Sequence, residues 1–101
     1  METLKWIQQW FFEQCDGDWE HGYGIQFETL DNPGWSVKVS VENTNVQEKF
    51  FESITIERSE DDWIHCKTDY VQDRGDFCFL GYGGPENLEE ILTVFKEWVE
   101  E

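Results

Sequence analysis

Trp35, Val37, Val39 and Val41 alternate with Ser36, Lys38, Ser40 and Glu42. Successive side chains of a strand point to opposite faces, so this strict period of two makes a half-buried β-strand. Such a strand needs partner strands beside it and an apolar layer over one side, and the rest of the chain must supply both.

Four further segments supply the strands. In residues 23–30, Tyr23, Ile25 and Phe27 alternate with Gly24, Gln26 and Glu28. Ile54 and Ile56 carry a strand near 52–58, Trp63 to Val71 reads as a fourth and Phe77 to Tyr82 as a fifth; residues 43–50 are polar and read as loop. Between the first two strands, Asn32-Pro33-Gly34-Trp35 predicts a type II turn, with Pro33 setting φ and Gly34 supplying a positive φ. Ser59-Glu60-Asp61-Asp62 is a second turn. A hairpin closing on Arg74-Gly75 would pair Tyr70 with Phe79 and Gln72 with Phe77. Its core face would hold Ile64, Cys66, Tyr70, Phe77 and Phe79, with Trp63, His65, Lys67 and Asp69 on the other.

The covering layer comes from the two ends. In residues 3–15, Leu4, Ile7, Phe11 and Cys15 form a helical stripe, with Thr3 placed as N-cap and Gly17 just past the end. Trp6 and Trp10 fall on a second, partly exposed face. After the break at Gly81 to Pro85, Asn87 and Glu90 have capping-box spacing. Leu88, Ile91, Leu92, Phe95 and Val99 then form the last stripe, flanked by Trp98. The order is α-β-β-β-β-β-α. It predicts an α+β two-layer sandwich over residues 1–101, one domain, with both helices packed on one face of a five-stranded, mostly antiparallel meander.

Charge restricts the partners. Asp and Glu number 23 against seven Lys and Arg, a formal net charge of -16, while aromatics make up 17% and argue for a folded core. That field repels nucleic acid and anionic membranes and attracts basic proteins. Three cysteines without metal-type spacing fit free thiols in a cytosolic protein. The N-terminus lacks the basic and apolar regions of a signal peptide, and no stretch approaches the ~18 apolar residues of a membrane span. A cytoplasmic protein, monomeric or weakly dimeric, is expected.

The densest chemistry is Cys15-Asp16-Gly17-Asp18-Trp19-Glu20-His21. An EF-hand loop needs a Gly where His21 stands and a bidentate Glu where Phe27 stands, so no metal site is assigned. Cys15, at the negative end of a helix dipole and beside Asp16 and Asp18, is poorly placed as a nucleophile. Two readings stay open: the acids finish the first helix, or Trp19 anchors a partner while Asp16, Asp18, Glu20 and His21 take its basic side chains. Asp61, Asp62 and Trp63 repeat the pairing of acid with tryptophan, and with Asp69 they join the candidate partner-binding residues. The Gly-rich run before Pro85 lacks the Lys and Ser/Thr of a phosphate loop. No catalytic residue and no cofactor is assigned.

Leu4-Lys5-Trp6, Trp10, Cys15 to His21, Gly24-Ile25 and Thr29-Leu30-Asp31-Asn32-Pro33-Gly34-Trp35, continued by Gly83-Gly84-Pro85 and Asn87 to Leu92, form a set of motifs along the chain. In these the chain resembles the bacterial immunity protein 53 family. The resemblance implies a non-enzymatic antitoxin, encoded beside a secreted polymorphic toxin, that binds the cognate toxin domain in the cytoplasm. Together with the charge, it leads to the expectation of a basic, nuclease-like partner. The alternatives are a generic acidic binding module for a non-toxin partner, or a small thiol-dependent enzyme.

Overall fold

A computed structural model describes residues 2–101. The elements are α1 (Glu2–Gln14), α2 (Trp19–Gly22), β1 (Ile25–Leu30), β2 (Gly34–Ser40), β3 (Ile54–Ser59), β4 (Asp62–Val71), β5 (Asp76–Gly83) and α3 (Leu88–Glu100). Every strand pair is antiparallel. One face of the sheet carries Val37 and Val39 of β2, Phe79 of β5, and Ile64 and Cys66 of β4. It is closed by Ile7 and Trp10 of α1 and by Ile91, Leu92, Phe95 and Trp98 of α3, which form one buried cluster. The fold is the expected α+β two-layer sandwich. No helix among the described residues is long and apolar enough to cross a membrane.

The strand order is β1-β2-β5-β4-β3, not that of a simple meander. Residues 41–53 carry the chain from β2 to the far edge, and β5 returns to fill the centre. Val46 is buried in this connection, and Phe51 packs edge-on against Phe79 and Trp98. A connection of this length that buries its own apolar side chains can bridge non-adjacent strands, whereas the closely connected pairs β1–β2, β3–β4 and β4–β5 are all neighbours.

Several local expectations shift. The buried side of α1 is Thr3, Ile7 and Trp10, whereas Leu4 is exposed and Phe11 half-buried. Thr3 therefore lies inside the helix and caps nothing, and Trp10 is a core residue. The stripe turns because α1 packs against α3 as well as the sheet, with Trp10 edge-on to Phe95 at 5.0 Å.

Gly34 does not take a positive φ; among the described glycines only Gly17 and Gly75 do. It pairs directly with Leu30 across a loop of Asp31, Asn32 and Pro33, so the type II turn does not form there. Glycine is needed at 34 for another reason: a Cβ would overlap the carbonyl oxygen of Gly83.

The β4–β5 hairpin pairs Tyr70 with Phe77 and Thr68 with Phe79, two residues from the expected register. Residues 72–75 form the turn, closed by Gly75 N–H donating to Val71 O at 2.8 Å, with Gly75 at φ +74°. A shift of two keeps every side chain on its face. Tyr70 is thus on the core side but beyond the helices' cover, and 53% exposed.

Asn87 stands at the N-cap of α3, yet its side chain caps nothing. Its Oδ1 accepts from the Trp63 N–H at 3.3 Å, and its Nδ2 donates to Asp62 and to Glu90 at 2.9 and 3.1 Å. The residue joins α3 to β4 instead of closing a capping box.

Candidate functional site

The acidic string after α1 is a hydrogen-bonded loop. Gly17 has φ +89°, which lets the chain reverse after the helix. Asp16 Oδ1 accepts from the N–H groups of Asp18 and Trp19 at 3.0 and 2.9 Å. The two Glu20 carboxylate oxygens accept from Asp16 and Gly17 N–H at 3.0 and 2.9 Å. Backbone N–H groups, Trp19 foremost, hold Asp16 below the ordinary carboxylate range. Glu20 is lowered too, first by its own N–H and then by those of Asp16 and Gly17.

Trp19 lies under this loop at 5% exposure. Its ring meets Trp10 and Phe11 edge-on at 6.4 and 6.0 Å, and its indole N–H donates to Glu42 O at 2.9 Å. As folded, Trp19 joins α1 to the start of the 41–53 connection and presents almost no surface. Asp18 and His21 remain exposed. They rim a wide polar depression of about 660 Å³ with Asp16, Arg74 and Gly75.

The thiols stand in unreactive settings. Cys15 Sγ donates to Phe11 O at 3.3 Å, and desolvation, then Glu20 and Asp16, push its pKa up. Burial pushes the Cys66 thiol to about 12. Cys78, on the outer sheet face, is fully buried beside Asp76 and is pushed up to about 11, mainly by burial. Among the described residues no three His, Cys, Asp or Glu side chains stand together as a metal-binding group.

The second acid-and-tryptophan group lies at the other end of β4. That strand has ten residues, so its ends are ~30 Å apart at 3.3 Å per residue. Asp16 to His21 sit beside the Arg74-Gly75 turn, whereas Asp61 to Trp63 open β4; the fold does not bring the two groups together. Asp62 is bound by Arg58 through a two-pronged pair at 2.9 and 3.1 Å, and Arg58 holds its carboxyl below the usual range. Arg58 also reaches Glu90 at 2.6 Å. Asp62 therefore ties the β3–β4 hairpin to α3, while Asp61 is exposed and its carbonyl backs against Gly84. Asp69 is exposed on the outer face, 3.6 Å from Lys67 Nζ.

Trp63 lies half-buried on the outer face of the sheet, opposite the two helices. Its backbone is held at both ends, by Asn87 Oδ1 and by the Gly84 N–H at 3.1 Å. Its ring centroid is 5.0 Å from that of His65. The register sets Tyr82 beside His65 and Glu57 beside Trp63. With Leu30 and Glu60 they line an open depression of about 690 Å³. Tyr82, His65 and Glu57 were not among the expected contacts. The β3–β4 turn at Ser59 to Asp62 already implied the Glu57–Trp63 neighbourhood, but Tyr82 needed the true β4–β5 register.

Fold and surface together define a small acidic α+β protein with one sheet face free of helices. The sequence model of the family described as Immunity protein 53 matches residues 4–100, and the chain belongs to that family. No curated protein and no solved structure matches it. Membership in an immunity-protein family points to an antitoxin role and to a toxin as the partner.

Proposed function

We propose that this protein is a cytoplasmic antitoxin that binds a basic, nuclease-like toxin domain and neutralises it without catalysis. Family membership over residues 4–100 carries the reading, and the net charge of -16 supports the chemistry of the partner. A nuclease binds polyanions, so its working cleft is basic. An acidic inhibitor is steered to such a cleft and can occupy it.

The open sheet face around Trp63 is the docking surface in this reading. It offers an aromatic side chain on a rigid backbone, with acids at its margin, and aromatic anchors carry much of the energy of protein interfaces. The loop from Asp16 to His21 then serves first to hold α1 and Trp19 in place, with Asp18 and His21 available at a second margin.

The test is a pull-down and a nuclease assay with the toxin domain encoded beside this chain. The expected result is a stable complex, loss of nucleic-acid cleavage, and survival of cells expressing both. Absence of a complex together with absence of protection sinks the reading.

A further inference from the structure

Building on the docking reading above, we propose that the depression beside Trp63 is a pocket for an arginine side chain of the protein partner. Its floor is aromatic and apolar: Trp63 and His65 in ring contact at 5.0 Å, Tyr82 paired with His65 across the ladder, and Leu30. Its margin is acidic. Glu57 is the cross-strand partner of Trp63 and lies on the same face, with Oε2 3.0 Å from His65 Nε2, and Glu60 follows in the turn.

One permanent cation, Arg58, also lines the depression, but its guanidinium is engaged. It makes bonds to Asp62 at 2.9 Å and to Glu90 at 2.6 Å, neither of which lines the depression. The charge of Arg58 is thereby offset, and Glu57 and Glu60 leave the pocket negative. The indole N–H groups of Trp6, Trp19, Trp35 and Trp98 donate to acceptors within the chain, whereas those of the half-buried Trp63 and the buried Trp10 find none among the described residues.

This combination selects among occupants. A carboxylate or phosphate meets two acids. A purely apolar side chain brings no cation to Glu57, whose partner there is His65, or to Glu60. A second copy of this chain brings another net charge of -16. A guanidinium suits both parts: its plane stacks on an aromatic face while its fork donates to a carboxylate. A lysine ammonium is a compact, strongly hydrated charge that offers no plane to stack. The basic cleft expected of the partner would supply the arginine.

The experiment follows amide and indole signals of the full chain by ¹⁵N–¹H NMR during titration with acetyl-Gly-Arg-Gly-amide. Lysine and citrulline peptides serve as controls, and the Trp63 indole signal is assigned by its loss in Trp63→Phe. The arginine peptide should shift Trp63, His65 and Tyr82 saturably and bind roughly tenfold more tightly than either control. Glu57→Gln combined with Glu60→Gln should remove that preference. The same double variant should weaken the complex with the neighbouring toxin by roughly tenfold or more. Shifts spread evenly over the acidic surface, equal binding of the lysine peptide, or a toxin complex unchanged by the double variant would each overturn the pocket. If the wild-type chain forms no toxin complex at all, the antitoxin reading fails, and the peptide titration still decides the pocket.

Discussion

Ser40 Oγ donates to Asp76 Oδ2 at 2.6 Å on the outer face of the central strand pair. Asp76 is 1% exposed, and its other oxygen faces Arg74 Nε at 3.2 Å. Arg74 also reaches Ser40 Oγ at 3.0 Å and Gln26 Oε1 at 3.2 Å, and Gly24 N–H donates to Ser40 Oγ at 3.1 Å. One serine hydroxyl of β2 thus joins the residue before β1, the β4–β5 turn and the start of β5. Removing the partly exposed Arg74 leaves the charge of the buried Asp76 uncompensated. Arg74→Ala should cost about 3 kcal/mol, and Ser40→Ala about 1 kcal/mol, in urea unfolding. Equal stability of Arg74→Ala and wild type would show that water replaces the guanidinium at no cost.

Trp19 and Trp63 should separate folding from binding. Trp19→Ala opens a cavity beside Trp10 and Phe11 and should cost about 3–5 kcal/mol of stability. Trp63→Ala lies on the open face, so its melting temperature should stay within a few degrees of wild type. Its toxin affinity should fall by ~2 kcal/mol or more, as for a hot-spot aromatic. Calorimetric titration with the toxin reads the second effect. An unchanged dissociation constant argues against the outer face as the interface.

Gly81 in the central strand and Gly34 at the start of β2 leave no room for a side chain. A Cβ at Gly81 would overlap Ile91 of α3, and one at Gly34 would overlap Gly83 O. Gly81→Ala and Gly34→Ala should each destabilise the fold by about 1–3 kcal/mol through overpacking. At Gly22 nothing lies within 4 Å of a Cβ, so Gly22→Ala should be neutral or slightly stabilising. Thermal melts of the three variants give the comparison. A harmless Gly81→Ala would mean that α3 moves off the sheet freely.

Asp16, Glu20 and Asp62 all have folded-state pKa values below the ordinary carboxylate value. A depressed folded pKa means that the native state binds fewer protons than the unfolded one. The stabilisation is then complete above the unfolded value of about 4, and is lost as pH falls through the folded values. Asp16→Asn removes one such titration while keeping an oxygen that can accept. The melting-temperature gap between wild type and Asp16→Asn should be widest near pH 7 and close below about pH 4. A gap that widens on acidification contradicts the loop's role as a carboxylate-bonded turn.

The strands and helices were legible because their signals are local. The alternation through Val37 and Val39 and the stripe of Ile91, Leu92 and Phe95 report burial residue by residue. Face assignments survived even where the register moved, since Tyr70 pairs two places from its expected partner and still points to the core side. Trp10 and Trp98 were harder. Their burial depends on where α1 meets α3, which no single-helix periodicity contains.

The Cys15 to His21 string shows the same division at the site level. Its residue types pointed equally to a turn and to a recognition loop. The tertiary contacts of Trp19 with Trp10, Phe11 and Glu42 O bury its ring. The Trp63 depression needed more still, because its lining comes from β1, β3, β4 and β5 and from the turn between β3 and β4. Periodicity along the chain was sufficient for the α+β class, the element order and the two faces of the sheet, since each follows from neighbours within one or two turns or pleats. The placement of β5 between β2 and β4, and with it the union of Leu30, Glu57, Trp63, His65 and Tyr82, came from packing. Strand order and helix contact are choices among distant segments, made by which arrangement buries the most apolar surface.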